Sequence, residues 1–74
     1  MENEYVSIEE KINMINNFIK NLSYNKYNAQ LGLLVENAVD SPNQINIDSY
    51  TKQIQEFDEK ISALQDELLL IEGQ

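Results

Sequence analysis

The stretch from Ile47 to Ile71, IDSYTKQIQEFDEKISALQDELLLI, decides the fold. Its apolar residues recur at alternating steps of three and four, the spacing of an amphipathic α-helix with a coiled-coil seam. The seam residues are Ile47, Tyr50, Ile54, Phe57, Ile61, Leu64, Leu68 and Ile71. Because this stripe is long and unbroken, the rest of the chain has to supply an apolar surface that covers it.

A second helix is predicted upstream, from about residue 7 to about residue 39. Ser7 and Glu10 form a Ser-x-x-Glu capping box, in which each residue bonds the backbone N–H of the other and starts a helix. Pro42 cannot continue a preceding helix and disfavours helical geometry at Ser41, so helix 1 ends before it. The helix 1 residues expected to face helix 2 are Ile8, Ile12, Ile15, Ile19, Leu22, Tyr27, Leu31 and Leu34.

After Leu22 the apolar stripe of helix 1 divides into two branches. One branch stays in register through Ala29 and Leu33 and is interrupted by Lys26. The other branch consists of Tyr24, Tyr27, Leu31, Leu34 and Ala38. Either a single stripe drifts at a spacing of about 3.75 residues, which would unwind a left-handed supercoil, or the helix has two apolar faces between two neighbours. We favour two faces.

Several local features leave alternatives open. Gly32 is either a tolerated small residue or a point where the backbone of a second helix approaches closely, and a kink can occur there or in the Asn-rich segment 21–28. Helix 2 begins with Ser41 as its N-cap, or later with Asn46 or Asp48 as the cap. The predicted division is an arm over residues 1–6, a turn over about 40–45 and helix 2 over about 46–72.

The predicted architecture is an all-α, antiparallel two-helix hairpin of coiled-coil type, because two helices of similar length are joined by a short turn. A domain of 74 residues without Cys or His has neither disulfides nor zinc to stabilise it, so self-association is the remaining means. We expect a four-helix dimer first and a six-helix trimer second. The candidate oligomer face comprises Met14, Phe18, Leu33, Leu69 and Leu70.

The charge of the chain argues against nucleic-acid and membrane partners. Thirteen Asp and Glu residues oppose five Lys and no Arg, for a net charge of −8, and phosphate-rich partners select the opposite sign. A basic protein partner fits this charge better. The sequence has no secretory signal and no membrane span, so an intracellular, cytoplasmic location is expected. Its richness in Asn and Ile is typical of AT-rich genomes, such as those of low-GC bacteria and their phages.

The sequence predicts no catalytic, cofactor-binding or metal-ligating residues. Without His or Cys there is no ordinary general base or thiol nucleophile. Acidic pairs such as Glu9 with Glu10 and Asp66 with Glu67 are expected to lie on solvated helix faces. The expected function is therefore a non-enzymatic structural, assembly or protein-interaction module that self-associates. The alternative is a small acidic regulator, an inhibitor or adaptor, that docks on a basic or grooved protein.

The Ser41-Pro42-Asn43 turn and the two-helix plan give the chain a resemblance to the small aspartyl-phosphate phosphatases of Gram-positive bacteria. The signature of that family at the start of helix 2 is Ser-Gln-Glu-Leu-Asp. The corresponding stretch here, residues 48–52, is Asp-Ser-Tyr-Thr-Lys and lacks the signature. No phosphatase activity is predicted from the resemblance.

Overall fold

A computed structural model of the protein describes residues 5–73 and contains two α-helices, α1 (Ile8–Asn37) and α2 (Gln44–Glu72). The helices pack against each other across a short connection and form a rod of 56 × 17 × 14 Å. The predicted all-α helical hairpin is confirmed. Of the predicted N-terminal arm, residues 1–4 lie outside the described residues, as does residue 74.

Helix α1 begins with the predicted capping box. The hydroxyl Oγ of Ser7 accepts from the backbone N–H of Glu10 at 3.1 Å, and Oε1 of Glu10 accepts from the backbone N–H of Ser7 at 3.2 Å. The backbone bond from Ser7, followed by the side-chain bond, stabilises the charged carboxylate and lowers the pKa of Glu10. The start of the helix is thus fixed by side chains that the sequence identifies.

Helix α2 begins differently from the prediction. Asn43 is its N-cap, and Oδ1 of Asn43 accepts from the backbone N–H groups of Ile45 at 2.9 Å and Asn46 at 3.3 Å. The expectations that Ser41, Asn46 or Asp48 caps this helix are therefore wrong. Asparagine is among the best N-cap residues because its side-chain oxygen reaches the orphan donors of the first turn.

The carboxylate of Glu36 explains why Asn43 is the cap. Its Oε1 accepts from the backbone N–H of Asn43 at 2.8 Å, and its Oε2 accepts from the side-chain amide of Asn46 at 3.4 Å. A negative group at this place also lies near the positive end of the α2 dipole. The last turn of α1 therefore holds the first turn of α2 in place, and α1 ends at Asn37 with Ala38 as its C-cap.

The seam between the helices contains the whole predicted stripe of α2. Seven of its eight members are half-buried, and the eighth, Ile71, is buried. On α1, the buried and half-buried residues that continue the seven-residue repeat are Ile12, Ile15, Ile19, Leu22, Lys26, Ala29, Leu33 and Glu36. The structure thus follows the branch through Ala29, and the repeat does not drift.

The expected α1 seam needs a correction at four positions. Ile8, Tyr27, Leu31 and Leu34 are exposed, with 59% of Tyr27 and 66% of Leu34 accessible to solvent. Lys26 takes a seam position instead, and its ammonium Nζ lies 2.6 Å from Oδ1 of Asp58 on α2. A polar residue in the stripe need not interrupt it when the facing helix supplies the opposite charge. Two apolar faces on α1, the favoured interpretation, agree with this arrangement.

Gly32 marks a point of close approach between the helices. A Cβ atom at position 32 would lie 2.6 Å from ring atoms Cε1 and Cζ of Tyr50 and 3.0 Å from its hydroxyl oxygen. The part of α2 that comes closest to this glycine is thus a side-chain ring, and close approach of the two backbones stays a prediction. Helix α1 runs through the Asn-rich segment and Gly32 without interruption, even though the hydroxyl of Ser23 donates to the carbonyl of Ile19 at 2.7 Å.

Candidate interaction surfaces

Most large apolar side chains of the hairpin remain accessible to solvent. Within residues 5–73 only Ala29 and Ile71 are buried, with 4% and 7% of their surface exposed. The large apolar residues that are exposed are Tyr5, Ile8, Met14, Phe18, Tyr24, Tyr27, Leu31, Leu34, Val35, Val39, Ile45, Leu69 and Leu70. The contact between α1 and α2 alone therefore leaves much of the apolar surface of these residues unburied.

The longest exposed apolar row lies on the C-terminal half of α1. We call it the outer stripe, and it consists of Tyr24, Tyr27, Leu31, Leu34 and Ala38. At about 100° per residue, this row lies roughly 160° around α1 from the seam. Most of the row therefore points away from α2, and Val35 widens it on one side. On that side Leu31 and Val35 also line a groove that reaches Tyr50 and Phe57 of α2.

Charged side chains are missing from the outer stripe and its surroundings on α1. Between Lys20 and Asp40 the only charged residues are Lys26 and Glu36, and both interact with α2 or its N-cap. Lys20 lies at the N-terminal end of the outer stripe, with its ammonium 6.0 Å from the centre of the Tyr24 ring. The stripe is thus a neutral surface bounded by one positive and one negative residue.

A second apolar surface lies at the open end of the hairpin. We call it the end groove; it has a volume of about 370 Å³, and both helices contribute to it. Met14 and Phe18 of α1 form its exposed wall. Its lining residues are Val6, Lys11, Met14, Ile15, Phe18, Leu64, Glu67 and Ile71. The two charged members stand among apolar neighbours.

A larger groove of about 480 Å³ lies beside the contact of Gly32 with Tyr50. Asn25, Asn28 and Gln53 contribute polar groups to its walls. No acid, base and nucleophile are arranged together in this groove, since Glu36, its only charged lining residue, bonds to the N-cap of α2. Its polar amides can accept and donate hydrogen bonds but provide no activated group.

The predicted oligomer face is not one surface in the structure. Met14 and Phe18 lie together in the end groove, whereas Leu33 is half-buried in the seam. Leu69 and Leu70 are exposed on the last turns of α2. Because consecutive helical residues differ by about 100° in direction, these two leucines belong to different sides of α2. The sequence indicates surplus apolar residues but places Tyr27, Leu31 and Leu34 in the seam, whereas the structure exposes all three.

Helix α2 carries most of the negative charge of the hairpin. It contains seven carboxylates and two lysines, and all nine side chains are exposed. The carboxylates are Asp48, Glu56, Asp58, Glu59, Asp66, Glu67 and Glu72. In residues 5–73 no three acidic side chains converge to form a metal site. The outer surface of α2 is therefore an extended acidic face.

Neither helix in the described part of the chain has a stretch that is both long and apolar enough to cross a membrane. Comparison of the chain with protein-family models, with curated proteins and with solved structures finds no match. The structure itself defines the chain as an antiparallel helical hairpin whose seam includes the Lys26–Asp58 ion pair. The surfaces described above are the places where this hairpin can contact another protein.

Proposed function

We propose that the protein is a non-enzymatic helical-hairpin module that self-associates and works through protein–protein contacts. The observation that carries this proposal is the exposure of large apolar side chains on a hairpin in which only Ala29 and Ile71, among residues 5–73, are buried. Burying one such side chain contributes about 1.5–3 kcal/mol. A domain of this size gains little from its own core, so association supplies stability that the single hairpin lacks.

Light scattering on a size-exclusion column, over a concentration series, tests this function. The expected result is a molar mass of twice 8.6 kDa, with three times that mass as the second expectation. Circular dichroism in parallel reports whether the species is helical. A helical monomer at every concentration would overturn self-association.

The acidic face of α2 favours a second candidate function, a small regulator that docks on a basic protein. Glu56, Glu59 and Asp66 are exposed on that face, and electrostatic docking on such a surface weakens as salt rises. A pull-down compares the wild type with a Glu56→Gln, Glu59→Gln, Asp66→Asn variant. The regulator hypothesis requires a partner that the wild type holds at low salt and that high salt or the variant releases. Capture that is independent of both would contradict it.

A further inference from the structure

We infer that the outer stripe binds the outer stripe of a second copy of this chain, with the two α1 helices antiparallel and a two-fold axis at Leu31. The inference rests on the self-association proposed above and identifies its surface. In a two-fold contact, a residue i of one copy that meets residue j of the other is matched by j meeting i, so one surface has to complement itself. Three properties of the outer stripe meet this requirement.

The first property is charge. Two copies of a chain with a net charge of −8 repel each other except where charge is absent. The outer face of α1 between Lys20 and Asp40 is such a place, because Lys26 and Glu36 are engaged with α2 or its N-cap. The acidic face of α2 is the opposite case, and pairing two such faces would place carboxylates against carboxylates. A second copy can therefore approach most easily through α1.

The second property is the order of residue sizes. An antiparallel pairing about Leu31 places Tyr24 of one copy opposite Ala38 of the other, and Tyr27 opposite Val35 and beside Leu34. Large rings then face smaller side chains at both ends of the contact, as close packing requires. Parallel pairing would place Tyr24 against Tyr24 and Ala38 against Ala38, leaving one end crowded and the other empty.

The third property is the pair of charges at the ends of the stripe. Lys20 and Asp40 lie almost equally far from Leu31 in sequence, on opposite sides. Antiparallel pairing brings Lys20 of each copy towards Asp40 of the other, whereas parallel pairing would bring like charges together. The end charges thus favour one orientation of the pair.

The area available is sufficient for a stable pair. Tyr24 and Tyr27 are about 60% exposed, so the four rings of a dimer supply roughly 400–600 Å². Leu31, Leu34 and Val35 of each copy add to this, for a total near the lower limit of about 1,000 Å² for a specific interface. The contact is therefore small but adequate for a reversible dimer.

Substitutions at two equally exposed positions locate the interface. Leu34→Glu places a charge in the outer stripe, and Phe18→Glu, the matched control, places the same charge in the end groove. Light scattering on both full-length variants should show Leu34→Glu weakening the dimer at least about tenfold and Phe18→Glu leaving it intact. A dimer that tolerates Leu34→Glu, or that Phe18→Glu dissociates, would overturn the inference while self-association stands. A wild type that is monomeric would overturn the proposed self-association itself.

A charge exchange tests the orientation without placing a charge in the apolar contact. With antiparallel pairing, Lys20→Glu and Asp40→Lys each create two repulsive end contacts in a homodimer, whereas the double variant Lys20→Glu, Asp40→Lys has two attractive ones again. With parallel pairing, like charges meet at both ends in all of these homodimers, so the substitutions would make little difference. At low salt each single variant should therefore dimerise more weakly than the wild type and the double variant should recover, measured by native mass spectrometry over a concentration series. Single variants that dimerise as well as the wild type, or a double variant that does not recover, would contradict the antiparallel pairing.

Discussion

The ring of Tyr50 lies so close to Gly32 that a methyl group at position 32 would be 2.6 Å from Cε1 and Cζ of the ring. Alanine is favoured over glycine inside a helix by about 1 kcal/mol, but overpacking a filled site costs about 1–3 kcal/mol. Tyr50 is half-buried in the seam, so displacing its ring towards the adjacent groove would cost contacts that the ring makes in the seam. We expect Gly32→Ala to lower the free energy of unfolding by about 1 kcal/mol in urea titrations.

The effect of Gly32→Ala on the free energy of unfolding should have the opposite sign once the tyrosine ring is removed. The atoms nearest to position 32 are the outer atoms of the tyrosine, and a leucine at position 50 lacks all of them. In a Tyr50→Leu background, Gly32→Ala should therefore raise the free energy of unfolding by up to about 1 kcal/mol. Equal effects in both backgrounds would mean that the ring and the glycine are not coupled.

The ion pair of Lys26 with Asp58 should set the alignment of the helices more than their stability. Lys26 is 29% exposed and Asp58 is 53% exposed, so water screens the pair, and such pairs contribute about 0–1 kcal/mol. Lys26→Met keeps an apolar stem in the seam and leaves Asp58 hydrated. We expect its free energy of unfolding to equal or exceed that of the wild type.

Lys52→Met, on the exposed side of α2, is the matched control for the Lys26 substitution. It removes the same charge without changing the seam. Denaturant titrations at low and high salt separate the general effect of charge from the effect of the pair. A loss of more than about 2 kcal/mol for Lys26→Met alone would show that the pair stabilises the hairpin far more than an exposed pair does.

The sequence was sufficient to predict which residues of α2 face the seam, but not which residues do so in the second half of α1. The α2 stripe has one possible face, because no other row of apolar residues competes with it. On α1 after Leu22, two rows have the same spacing, and hydrophobicity favours the row with Tyr27 over the row with Lys26. The structure uses the less apolar row, which continues Ile12 to Leu22 in register and in which Lys26 finds a partner in Asp58 at 2.6 Å. That contact joins residues far apart in sequence, so a pattern within one helix could not reveal it.

The start of α2 and the interaction surfaces were partly predictable for related reasons. The break around Pro42 was evident, but several nearby residues can cap a helix, and a contact from the preceding helix determines that Asn43 does. Similarly, an excess of apolar residues can be counted from the sequence. Its division into an outer stripe and an end groove follows only once the seam has been located.

The contact between Glu36 and Asn43 predicts that the turn is a cooperative unit. Removing the carboxylate by Glu36→Ala leaves the N–H of Asn43 without its acceptor, and a hydrogen bond to a charged group contributes about 1.5–3 kcal/mol before solvent exposure reduces it. Asn43→Ala removes the N-cap and should cost about 0.5–2 kcal/mol. Urea titrations should show each substitution lowering the free energy of unfolding.

The double variant is expected to lose less than the sum of the single losses, because both substitutions loosen the same turn. Glu56→Gln, which removes an exposed carboxylate from α2, serves as the control and should change the free energy of unfolding by less than about 0.5 kcal/mol. Strict additivity of the Glu36 and Asn43 variants would show that the two residues stabilise the turn independently.

The capping box predicts a specific acid sensitivity at the start of α1. Hydrogen bonds from Ser7 lower the pKa of Glu10 below its ordinary value of 4.5. A carboxyl group with a lowered pKa binds protons less readily in the folded state than in the unfolded state. Its contribution to the stability of the folded state is therefore complete above pH 4.5 and is lost as the pH falls through the lowered pKa. Carboxyl titration by NMR should show this pKa, and Ser7→Ala should move it back towards 4.5.

Glu10→Gln isolates this contribution from that of the other carboxylates, because it retains a side chain that can accept from Ser7 but cannot titrate. The difference in helicity between the wild type and this variant should therefore be largest at neutral pH and should shrink in acid, where Glu10 is protonated. A difference that stays constant down to low pH would mean that the charge of Glu10 does not stabilise the helix start. The capping box would then act through the Ser7 hydroxyl alone.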